Sequence, residues 1–142
     1  MIEAGLFLAL LILLGGSALL FIERHRRTKH GLTAEARSRI HVGWHAIMAH
    51  IAAGKPSRYR QAVIEADTLV DFALKKAGYP GATMGERLRA VPKGTFRDTN
   101  AVWAAHKVRN ELVHELDKEL LAAEAKQMVK NFEQALHDLG AL

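Results

Sequence analysis
The chain has 142 residues, 49% of them hydrophobic and 25% charged, a length that fits one domain. It contains no cysteine, which excludes disulfides and thiolate metal sites. Its formal charge of +5 is unevenly spread: residues 33–61 carry Arg37, Arg39, Lys55, Arg58 and Arg60 against Glu35 alone, whereas residues 101–142 are net acidic. Such a basic front half suits an anionic partner, lipid or RNA, and equally suits a solvated helix face. In chain order, Ile2 to Ile22 is apolar or small except for Glu3. As a helix it would span roughly 31 Å, the thickness of a hydrocarbon core. The start Met1-Ile2-Glu3 lacks the basic residues of a signal peptide, so the segment is expected to be an uncleaved anchor. Arg24, Arg26, Arg27 and Lys29 follow at once, a basic cluster suited to anionic head groups. The positive-inside rule then predicts a single-pass protein of the cell membrane with its C-terminal domain in the cytoplasm.

Residues 23–32 read as a juxtamembrane linker, and residues 33–142 as a helical domain. The spacing predicts a first helix from Thr33, a plausible N-cap, to Ala53, with Gly54 as its stop. Its apolar face is Ile40, Trp44, Ile47, Met48 and Ile51. A second helix runs from Pro56-Ser57 to Gly78, with Tyr59, Val63, Ala66, Val70, Ala73 and Ala77 as a stripe at helical spacing. Thr83 and Glu86 have capping-box spacing and open a short helix to about Val91, broken by Pro92 and Gly94. A further helix starts near Asp98 or Thr99. No Gly or Pro intervenes from there to Leu139, and a corner is expected at Leu116-Asp117-Lys118-Glu119, with Asp117 capping a new start. The last helix presents Leu121, Ala125, Met128, Val129, Phe132, Leu136 and Leu139. Sustained period-2 alternation is missing, so the fold class is all-α: a transmembrane helix, then an up-down bundle of four longer helices and one short one.

The stretch Arg109-Asn110-Glu111-Leu112-Val113-His114 holds the candidate chemistry. On a helix, Ala105, Val108, Leu112, Val113 and Leu116 form an apolar stripe, and Arg109 falls inside it. A guanidinium cannot be neutralised, so such a position demands a partner. Glu65 and Asp67 lie on opposite edges of the second helix's stripe, and either can be that acid. His106, Arg109, Asn110 and His114 make a continuous polar strip. The hexapeptide resembles the signature of the HEPN superfamily, small all-helical domains with an Arg-polar-x-x-x-His motif, over roughly residues 33 to 140.

That resemblance implies a metal-independent endoribonuclease in stress response or defence, with Arg109, Asn110 and His114 catalytic. Histidine titrates in the range needed to move a proton, and arginine offers a forked cation to phosphate. His106 is a supporting candidate. The resemblance further implies a homodimer with two motifs meeting across it, RNA as substrate, no cofactor, and a neutralising partner as in toxin-like relatives. The competing reading is a non-catalytic helical module that dimerises or binds a partner or nucleotide. His41 and His45 share one helix face, but no third ligand completes a zinc site there. Trp44 and Trp103 read as core anchors rather than base-stacking platforms.

Overall fold
The computed structural model describes residues 31–115 and 117–142. These form five helices: α1 (Ala34–Ala52), α2 (Pro56–Lys76), α3 (Met84–Ala90), α4 (Thr99–His114) and α5 (Ala122–Asp138), within a compact unit spanning Leu32–Leu142. The described residues contain no strand, and the all-α bundle of four longer helices and a short one matches the periodicity of the sequence.

Local chemistry sets most of the helix starts. Thr33 Oγ1 accepts from Ala36 N at 3.1 Å and opens α1. Pro56 occupies the first turn of α2, where its missing N–H costs nothing. Thr83 Oγ1 accepts from Glu86 N at 3.2 Å, and the Glu86 carboxylate in turn accepts from Ala82 N at 2.6 Å. Asp98 Oδ1 accepts from Ala101 N at 2.9 Å and opens α4. The turn before α3 needs glycine: Gly81 has φ of +147°, and a Cβ there would lie 2.8 Å from Arg87 N.

The second helix is the centre of the packing, in contact with α1, α3, α4 and α5. Its predicted stripe of Tyr59, Val63, Ala66, Val70, Ala73 and Ala77 is buried throughout. Ile40, Trp44 and Ile47 cover it from α1, Val102, Ala105 and Leu112 from α4, and Val129, Phe132 and Leu136 from α5. Each of the larger aliphatic side chains and Phe132 contributes roughly 1.5–3 kcal/mol relative to exposure, the alanines less. Three expected stripe residues lie outside this core: Met48 is 42%, Val113 45% and Leu121 70% exposed.

The break after α4 falls where the corner was expected, but its construction differs. The chain leaves the helix at His114 and resumes only at Ala122, and no side chain caps that start, so Asp117 does not take the capping role. A residue from α2 holds the connection instead. The Arg60 guanidinium donates to the carbonyls of Leu112, Glu115 (3.2 Å) and Lys118 (3.4 Å), the acceptors that a helix C-terminus leaves free. The connection is therefore wrapped around a cation as a loop.

The membrane localisation read from the sequence is corrected. Among the described residues no helix is long and apolar enough to cross a membrane. Even α2, the longest, carries Arg58, Arg60, Glu65, Asp67, Asp71, Lys75 and Lys76 along its length. The anchor expected at 2–22 and the basic cluster Arg24, Arg26, Arg27 and Lys29 lie outside the described residues. A single-pass placement in the cell membrane is withdrawn.

Candidate functional site
The site grows from one carboxylate on the central helix. Asp67 stands between Ala66 and Val70 on the buried face of α2 and is 2% exposed. A carboxylate taken out of water is costly unless charge and hydrogen bonds compensate it. Both compensations come from α4, where His106 and Arg109, three residues apart, occupy the same face. His106 Nδ1 is 2.7 Å from Asp67 Oδ1, and Arg109 Nε is 3.2 Å from Asp67 Oδ2. Of the two acids open from the sequence, Asp67 is thus the partner of Arg109. Glu65 turns to the other side of α2, 3.3 Å from His50 Nε2, and accepts from Gln61.

Asn110 closes the cluster. Arg109 donates from a terminal guanidinium nitrogen to Asn110 Oδ1 at 2.9 Å, and Asn110 Nδ2 lies 3.2 Å from His106 Nε2. These contacts fix each other's polarity. Arginine only donates, so the Asn110 oxygen must face it and the amide N–H must face the imidazole. A carboxylate only accepts, so His106 carries its proton on Nδ1 and offers the Nε2 lone pair to Asn110. The result is a chain, Asp67 to His106 to Asn110 to Arg109 and back to Asp67. The Arg109 Nε contact with Asp67 is ionic without hydrogen-bond alignment, which leaves that buried N–H without a hydrogen-bond partner among the described residues. Unsatisfied buried donors are rare and call for an explanation, of which a working site is one.

A second acid–cation pair stands beside the first. Asp71, one turn along α2, accepts from the buried Arg87 of α3 at 2.8 Å and fastens the short helix against the site. The sequence carried a signal for it: Arg87 sits among Met84, Gly85 and Leu88 on a face that is buried throughout. This pair, the Arg60 clamp and the placement of Trp103 are the features that sequence reasoning missed.

Together α2, α3 and α4 enclose an open cleft of about 980 Å³. Asp67, His106, Arg109, Asn110 and His114 all line it, so the structure brings the whole predicted polar strip to one surface. Arg89 and Lys107 also line it, and with Arg87 nearby the cations outnumber Asp67 and Asp71. His114 differs from its neighbours: it is the exposed last residue of α4. His41 and His45 lie exposed on α1 instead, and no group of three metal-ligating side chains occurs among the described residues. The two tryptophans part company. Trp44 is 8% exposed in the core, whereas the half-buried Trp103 forms part of the cleft wall.

No protein-family model matches this sequence, and no curated protein or solved structure matches it either. The likeness to HEPN domains therefore rests on the hexapeptide 109–114 and its helical setting.

Proposed function
We propose that the chain is a HEPN-like, metal-independent endoribonuclease acting in stress response or defence. The observation that supports this most is the pairing, on one buried carboxylate, of an oriented imidazole and a fixed guanidinium at the wall of an open, positively charged cleft. Internal RNA cleavage needs both. His106 Nε2 takes the proton from a ribose 2′-hydroxyl, which replaces the Asn110 N–H as its hydrogen-bond donor. The 2′-oxygen then bonds to the adjacent phosphorus while the bond from phosphorus to the 5′-oxygen breaks. Charge rising on the phosphate oxygens falls to Arg109, held by Asp67 and Asn110. Asp67 acts as a positioning residue, keeping the imidazole in the tautomer that presents Nε2.

The departing 5′-oxygen needs a proton. His114 is the candidate donor, but it lies two turns beyond His106, roughly 12 Å along the helix axis. A second copy of the chain, placing its own motif across the cleft, brings the two histidines to one phosphate. The functional unit is accordingly a homodimer, with RNA as substrate and a neutralising partner to restrain it.

The test is to incubate the full chain with single-stranded RNA in a metal chelator. Fragments ending in a 2′,3′-cyclic phosphate and a 5′-hydroxyl are expected. His106→Ala and His114→Ala should each abolish them, with helix content unchanged. Absence of cleavage across varied RNAs would defeat the nuclease reading. It would favour a module that binds a partner or nucleotide without turnover, a reading supported by the way Asn110 already bonds to both Arg109 and His106.

A further inference from the structure
The wall of the cleft beyond His106 is built from flat groups rather than from aliphatic filler. Trp103 is one helical turn before His106 on α4, and their rings meet edge to face, with centroids 6.0 Å apart. Across the opening, the exposed Arg89 of α3 holds its guanidinium over the indole, 6.0 Å from the ring centroid. A direct stack of the two would close to about 3.5–4 Å. A planar ring lying between them needs two such spacings, about 7 Å. The 6.0 Å from guanidinium carbon to ring centroid exceeds a direct stack and sits at the outer limit of cation–π contact, so the exposed Arg89 covers the indole only loosely and swings outward to admit a ring.

Gly85 keeps this place open. A Cβ there would lie 3.6 Å from His106 Nε2 and 3.8 Å from the Trp103 ring, so any side chain beyond Cβ would cover both. Arg89 makes no ion pair among the described residues, which leaves its charge facing the cleft.

We propose that Trp103 and Arg89 form a nucleobase subsite, in which an unpaired base of single-stranded RNA inserts between indole and guanidinium next to the scissile phosphate. This rests on the nuclease reading and adds to it the substrate class: unpaired RNA, gripped by stacking. Bases stack on aromatic and guanidinium planes without sequence demand, since every base has a π face. Base-paired RNA keeps its bases in the helix and cannot fill the gap.

The native chain supplies its own probe, because of its two tryptophans only Trp103 borders the cleft while Trp44 is buried. A short 2′-O-methyl oligoadenylate, which cannot be cleaved by 2′-oxygen attack, is titrated against the full chain. Inorganic polyphosphate of similar charge serves as the control anion. Tryptophan quenching by the oligonucleotide and not by polyphosphate is expected. Trp103→Leu should weaken oligonucleotide binding roughly tenfold. Arg89→Lys, a surface change that keeps the charge and loses the plane, should weaken the oligonucleotide and leave polyphosphate unaffected. Oligonucleotide binding without quenching, and indifferent to Arg89→Lys, would overturn the subsite and leave the nuclease reading standing. Failure of both anions to bind would overturn the two together.

Discussion
The middle and the end of α4 offer a comparison within one helix. In the middle, His106, Arg109 and Asn110 are locked to one another and to Asp67 by contacts of 2.7–3.2 Å. At the end, His114 is exposed, and the backbone beyond it is held by Arg60 through carbonyls and by Lys118 through Glu111. In the proposed mechanism a single chain thus preorganises the proton acceptor and the phosphate cation but leaves the remaining histidine unanchored. A helix of this length offers one buried face to its own core. What projects from its last turn must find order elsewhere, and a second copy of the chain is the source the proposed mechanism requires.

That contrast can be broken in graded ways. The largest effect is expected on chemistry: His106→Ala should slow RNA cleavage roughly 10³-fold, the scale of a lost general base. Single-turnover rates against RNA measure this. Next, Asp67→Ala leaves Arg109 and His106 facing a buried void and should cost about 3 kcal/mol, seen as a lowered urea midpoint. In the same assay His114→Ala should stay within about 0.5 kcal/mol of the parent, since it removes only exposed surface. A large loss there would mean that the two ends of α4 are equally built in. Thr83→Ala removes the N-cap of α3, the element that carries Arg87, Gly85 and Arg89. About 1 kcal/mol is expected, together with weaker anion binding in the cleft.

The smallest effect concerns the loop after α4. Lys118 beside Glu111 holds that carboxyl below the usual carboxylate range, and Glu111 in turn raises the Lys118 ammonium. A depressed acid contributes stability above its unfolded value and loses it as pH falls through the folded one. The pair should therefore anchor the loop at neutral pH and release it under acid conditions, below pH 4.5, as Glu111 gains a proton, and again at strongly alkaline pH as Lys118 loses one. Glu111→Gln should remove this acid-limb difference, followed by amide exchange in residues 117–121 across a pH series.

Much of the framework was legible because it is written in short-range chemistry. Thr33, Pro56, Thr83 and Asp98 announce their helices through groups that reach only three or four residues ahead. The stripe on α2 was legible because one face of one helix meets all the others. The site was half legible. A helical count places Arg109 among apolar residues and so demands an acid, but it sets Glu65 and Asp67 on two edges of α2 and cannot choose between them. Tertiary packing makes the choice by turning Glu65 toward His50. Asp117 misled because the loop runs on to Leu121, which leaves it too far from the first N–H groups of α5 to cap them; the loop itself is held by Arg60, more than fifty residues earlier in the chain. Trp44 belongs to the apolar stripe of α1, whereas Trp103 lies outside that of α4, one turn before His106, and the placement of α3 puts it beside open space.

The central claim is that Asp67 holds His106 as a ready proton acceptor with Nε2 unprotonated, its lone pair shared with the Asn110 amide. The most direct measurement is nitrogen-15 NMR of the histidine side chains at neutral pH, with His106 assigned by its loss in His106→Gln. The account predicts a neutral ring protonated on Nδ1, and a shift toward mixed tautomers in Asp67→Asn. A ring protonated on Nε2 in the parent chain, unchanged by Asp67→Asn, would contradict it.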